Sequence, residues 1–211
     1  MAKRILTMAL RMLSSNVLVM LIGLFLLASL STFLTDVAIY QWAITAVFAV
    51  LMWVILWLDT SGQGQKDVQK DKILKRRQAL PDYSPAPEDE LRYFPWLGFA
   101  AGFAAQLPVV LLVLVAGFFS RDSVVYIVIN VLLRSWNIMY LQVFTALEGA
   151  QPWVFLLFPV IFSLVAGLGY RTGPSQQARM EVIIERNKTR AARRVQDDKK
   201  KAQMRKKPTR R

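Results

Sequence analysis

Residues 123–148 read SVVYIVINVLLRSWNIMYLQVFTALE, and the way this stretch meets a membrane decides the fold. It is long and apolar enough to cross ~30 Å of hydrocarbon, yet Arg134 sits near its middle. Ser123, Tyr126, Asn130, Arg134, Asn137, Thr145 and Glu148 recur every three or four residues, which on a helix makes one polar stripe interrupted only by Leu141. An arginine at a helix centre costs roughly 2.5–3.5 kcal/mol on insertion, and Asn130 and Asn137 add to that. This makes residues 123–148 the weakest span of the chain.

Working outward, other apolar runs cover residues 14–34, 37–58, 94–119 and 153–169. Only helices or closed barrels satisfy their backbone inside a bilayer, and these runs lack the alternation of a barrel. The expected fold class is all-α: a polytopic integral membrane helix bundle with a basic cytoplasmic tail. The segments follow from composition. Residues 1–13 form a basic amphipathic N-terminal segment, 14–58 a transmembrane hairpin, and 59–93 a cytoplasmic loop. Residues 94–170 make a second membrane region that includes the amphipathic helix 123–148, and 171–211 the tail. Within the loop, DTSGQGQ (59–65) reads as a flexible exit and 66–79 as helical. Pro108 and Pro159 mark expected kinks, and Gly173-Pro174 the start of a new element.

Charge sets the expected topology. The net charge is +13, and from Arg171 onward there are 15 Lys/Arg against four acids. The N-terminal segment carries Lys3, Arg4 and Arg11, and the central loop seven cations, whereas the turns near residues 35–36 and 120–122 have almost none. Positive-inside bias then puts both termini and the central loop in the cytoplasm, which demands an even number of crossings of the plasma membrane. Four spans result, with 123–148 held at the outer side as an interfacial or re-entrant helix. Its stripe would face water, and Val124, Ile127, Val128, Val131, Leu132 and Phe144 would face lipid or protein. Five spans with an exported tail is the alternative.

The chain has no cysteine and no histidine. This removes thiol nucleophiles, His-based catalysis and nearly every transition-metal site. The carboxylate clusters Glu88-Asp89-Glu90 and Asp197-Asp198 lie in charged segments that cannot hold catalytic geometry. No enzyme, cofactor or metal site is expected. Three sets of residues carry functional expectations instead. Gln106, Asn130, Arg134 and Asn137 form a polar membrane face, with Gln106 a hydrogen-bond candidate for Arg134 or for a carbonyl freed by Pro108. Gly98, Gly102, Ala101 and Ala105 allow close helix packing, within the chain or as a homodimer seam or contact to other membrane proteins.

The third set lies in the tail. Arg186, Lys188, Arg190, Arg193, Arg194, Lys199, Lys200, Lys201, Arg205, Lys206 and Lys207 would bind anionic lipid, or RNA or the ribosome. Met180, Ile184, Ala191 and Val195 add a thin apolar stripe beside them. No aromatic residue follows Tyr170, which argues against base stacking. The tail could also serve only to fix topology.

An apolar bundle, an arginine facing a polar groove and a basic cytoplasmic tail are similar in architecture, though not in motif, to membrane-protein insertases. The resemblance implies a translocation role for the face around Arg134. Composition favours the other expectation: a non-catalytic scaffold, assembly factor or accessory subunit.

Overall fold

The computed structural model describes residues 1–31, 38–84, 93–137 and 152–206. Six α-helices stand among them: α1 (Ala2–Ser31), α2 (Ala38–Gln78), α3 (Leu97–Ala105), α4 (Leu107–Ala116), α5 (Val124–Trp136) and α6 (Leu157–Lys206), the last preceded by a 3-10 turn, Pro152–Leu156. Three helices are long and apolar enough to cross a membrane. They become four if the bent pair α3–α4 counts as one span. At 1.5 Å per residue, the 30 residues of α1 extend about 45 Å and the 41 of α2 about 62 Å. Both outrun the ~30 Å hydrocarbon layer.

Helix direction follows from the contacts. Arg4 pairs with Asp67 and Arg11 with Asp59, so α1 runs antiparallel to α2. A side chain at Gly173 would strike the Gly64 backbone, and one at Gly169 would strike Thr60, so α6 runs parallel to α2. Gly98 lies against Ala166 and Tyr170, and Gly102 against Ser163 and Ala166, so α3 is antiparallel to α6. The start of α1, the far half of α2, the start of α3 and the Tyr170 turn of α6 therefore share one end of the bundle.

Two cores meet at the break between α3 and α4. Met8, Ala9 and Met12 of α1 pack with Met52 and Leu56 of α2, Leu97, Ala101 and Ala105 of α3, and Phe162, Ala166 and Tyr170 of α6. Beyond the break, Val109, Val113 and Ala116 of α4 pack on Ile129 and Leu133 of α5. Large apolar side chains stand on the outer faces of the spans: Phe25, Val47, Leu111, Val128 and Val160 are each about half exposed or more. A soluble protein does not leave so many large apolar side chains on contiguous helix faces, but a bilayer solvates them.

Several expectations change. Residues 1–13 are not a separate surface segment. They continue into α1, because Met8, Ala9 and Met12 are core residues and the two arginines have carboxylate partners. Residues 59–65 are not a flexible exit but the middle of α2. Glycine in a helix costs about 1 kcal/mol relative to alanine. Here that cost is offset by packing: Thr60 and Ser61 are fully buried, and the Gly64 backbone lies against α6. The Tyr170 carbonyl beside Gly64 is the one Pro174 leaves without its helical N–H.

The backbone stays helical through Gly173 and Pro174, and the boundary expected there separates two compact units, Met1–Gly173 and Pro174–Arg211. Pro159 makes no kink. It lies in the first turn of α6, where its missing N–H has no helical partner to lose. Pro108 behaves as expected: α3 and α4 are bent by 46° around Gln106.

Candidate functional site

The stretch around Arg134 is not one long helix. Its described part begins at Ser123, whose hydroxyl caps α5 by accepting from the Tyr126 N–H at 3.1 Å. It stops at Asn137, which has non-helical φ/ψ of −108° and 38° and whose side-chain amide donates to the Leu133 carbonyl at 3.1 Å. Ser123 and Asn137, two members of the polar stripe, thus cap the two ends of α5. The 13 residues of α5 extend only about 20 Å. Leu141, Phe144, Thr145 and Glu148 lie outside the described residues.

The orientation of α5 reverses the expectation of a stripe facing water. Val124, Val125, Ile127, Val128, Val131 and Leu132 are exposed, whereas Ser123, Tyr126, Asn130 and Arg134 are half-buried and Asn137 is buried. The physical reason is that Ile129 and Leu133, which flank the stripe, are the residues packed on α4. They carry the polar groups inward with them. The α4–α5 hairpin turns at residues 117–123, which puts Gln106 at the same end as Arg134 and Asn137.

Gln106 is only 2% exposed, and its Oε1 has no hydrogen-bond partner among the described residues. The same holds for Arg134 Nε and Trp136 Nε1. The expected bond from Arg134 to the Gln106 oxygen is therefore not made. A buried unpaired polar atom costs about 1–3 kcal/mol, so this hairpin end is a polar interior with unmet valence.

Gly98, Ala101, Gly102 and Ala105 are all buried on α3, where Gly98 and Gly102 lie against α6 and Ala101 and Ala105 join the core with α1 and α6. An added Cβ would sit 2.5 Å from the Tyr170 Cβ at Gly98 and 2.9 Å from the Ala166 Cβ at Gly102. Ser163 Oγ also donates to the Phe99 carbonyl at 2.8 Å across this contact. The contacts at Gly98 and Gly102 are thus made within the chain, as the first of the packing expectations has it.

One cluster was not legible from the sequence. Tyr170 is fully buried, donates to Asp67 Oδ2 at 2.6 Å and stacks on Tyr93 with ring centroids 5.3 Å apart. Asp67 also holds Arg4. Burial, the largest cause, raises the Tyr93 hydroxyl above its ordinary pKa, Arg171 partly offsetting this. Asp67 sits in KDVQKD, which reads as a solvated charge run. Its only advance signal was an aromatic residue at the end of each neighbouring span.

The second unit is a single helix in its described residues. Arg186, Lys188, Arg190, Arg193 and Arg194 are exposed, and none forms an ion pair among the described residues. Lys199, Lys200, Lys201, Arg205 and Lys206 lie on the same helix, while Lys207 falls outside the described residues. An open groove runs past Val182, Glu185, Arg186, Thr189, Arg190 and Arg193. A single helix cannot enclose a ligand, so this is a contact surface rather than a pocket. No group of three or more His, Cys, Asp or Glu stands together among the described residues. No family model, curated protein or solved structure matches this chain.

Proposed function

We propose that this is a non-catalytic membrane subunit, of the scaffold, assembly-factor or accessory type, whose basic tail docks onto a polyanion at the cytoplasmic face. The chain crosses the cell membrane four times, through α1, α2, the bent pair α3–α4, and α6. In this proposal residues 123–148 stay at the outer side, as an interfacial or re-entrant segment. Two features support this topology. Four helix ends that flank the cationic segments share one end of the bundle, and α5 is too short to cross alone.

One observation carries the docking role. Arg4 and Arg11 pair with Asp67 and Asp59, while Arg186, Lys188, Arg190, Arg193 and Arg194 have no carboxylate partner among the described residues. Cations held only to fix topology need not be so many. Anionic lipid and RNA or the ribosome are the candidate polyanions.

The absence of cysteine makes the test clean. Single variants Ser120→Cys and Gln196→Cys are treated with a membrane-impermeant thiol reagent on intact cells. Residue 120 labels directly, and residue 196 only after permeabilisation. Labelling of residue 196 on intact cells overturns the topology and the cytoplasmic role of the tail.

A second reading, translocation along the polar face of Gln106, Asn130, Arg134 and Asn137, is favoured by the unpaired Gln106 Oε1 and Arg134 Nε. It requires water at mid-membrane depth. Reaction of Gln106→Cys with the same reagent supports it, and complete protection removes it.

A further inference from the structure

We infer that residues 179–195 form an interfacial helix that docks on anionic phospholipid of the membrane in which the protein itself sits. The inference deepens the tail reading above and rests on it. At 100° per residue, Met180, Ile184, Ala191 and Val195 fall within about 60° of arc, with Ile183 about 60° beyond it. All are exposed within the second unit, with Met180, Ile183, Ile184 and Val195 each 46–54% accessible. Arg194, Arg190 and Arg179 follow one edge of that stripe at about 40–100° beyond it, and Lys188 adjoins the other edge at about 20°, ahead of Glu181. The pattern ends at Asp197-Asp198.

This combination discriminates between polyanions. A polyphosphate backbone in water satisfies the arginines but leaves Met180, Ile183 and Ile184 wet. An anionic bilayer takes both: the apolar stripe enters the headgroup boundary, and the arginines meet phosphate at its edge. The helix is also tethered. Gly173, the last residue of the first unit, adjoins the buried Tyr170, so the local concentration of lipid around the tail is far above that of any diffusing partner.

The full chain is placed in nanodiscs of phosphatidylcholine alone or with phosphatidylglycerol. An environment-sensitive dye is attached at Ile184→Cys, on the stripe, or at Thr189→Cys, opposite it. With phosphatidylglycerol the emission at residue 184 shifts to shorter wavelength and escapes an aqueous quencher, whereas residue 189 stays quenchable. Ala191→Cys repeats the reading should the dye at 184 disturb the helix. Changing Lys188, Arg190 and Arg194 together to Gln shifts the docking equilibrium roughly hundredfold towards the free tail, at about a kcal/mol for each cation.

Equal emission in both discs overturns the inference. So does protection at residue 184 by added RNA in phosphatidylcholine discs without an effect of phosphatidylglycerol. Either result leaves the labelling at residues 120 and 196 untouched, so the lipid claim and the topology fail separately.

Discussion

Gly62 and Gly64 stand two positions apart in one helix and carry opposite expectations. Nothing lies within 4 Å of a side chain built at Gly62, whereas one at Gly64 would run into the Tyr170 carbonyl. Gly62→Ala should therefore stabilise by about 0.5–1 kcal/mol, the ordinary helix gain. Gly64→Ala should destabilise by about 1–3 kcal/mol through overpacking. Thermal unfolding of both variants in the same detergent checks the sign of each, and equal effects would mean that α2 and α6 do not touch at this point. Asp67 is the other sensitive residue. Asp67→Ala takes one partner from Arg4 and leaves the buried Tyr170 hydroxyl without its acceptor, an expected loss of about 1.5–3 kcal/mol by the same measurement. Asp71→Ala, which removes an i,i+4 pair with the exposed Lys75 at 2.8 Å, should cost less, under about 1 kcal/mol. Neither contrast was visible in sequence, since GQG and KDVQKD look polar and solvated until their partners arrive from more than a hundred positions away.

At the scale of elements, α5 gives the sharpest contrast. Val128 is half exposed on its outer face, while Asn130 is turned towards α4. Val128→Arg should add roughly 2.5–3.5 kcal/mol to the cost of membrane insertion. The fraction of protein that resists alkaline extraction from membranes should fall accordingly. Asn130→Arg should be milder, because that face already carries Arg134. Equal losses would mean that the apolar face of α5 does not meet lipid.

The bend at Gln106 was legible because a proline cannot donate within a helix, a local rule that needs no partner. The all-helical fold was legible from the length of the apolar runs. The inward turn of the polar stripe was not, because periodicity shows that one face differs but not which face the neighbours choose. That choice was made by Ile129 and Leu133 packing on Val109 and Val113.

For the whole molecule, the division at Gly173 predicts how the chain tolerates shortening. Removing residues 174–211 takes away no member of either core. The truncated chain should keep its thermal midpoint within about 2–4 °C, the shift that ~1 kcal/mol produces in a domain of this size. A larger fall in a side-by-side melt would mean that the tail contributes to the fold.

The crossing of α2 and α6 carries a mechanical corollary. Where Gly64 and Gly173 meet, main chain rests on main chain with no side-chain cushion between them. Close-packed protein matter transmits strain rather than absorbing it. A tug arriving at residue 173 is therefore handed directly to α2 and its ion-paired neighbour α1, so those three rods should tilt together or not at all.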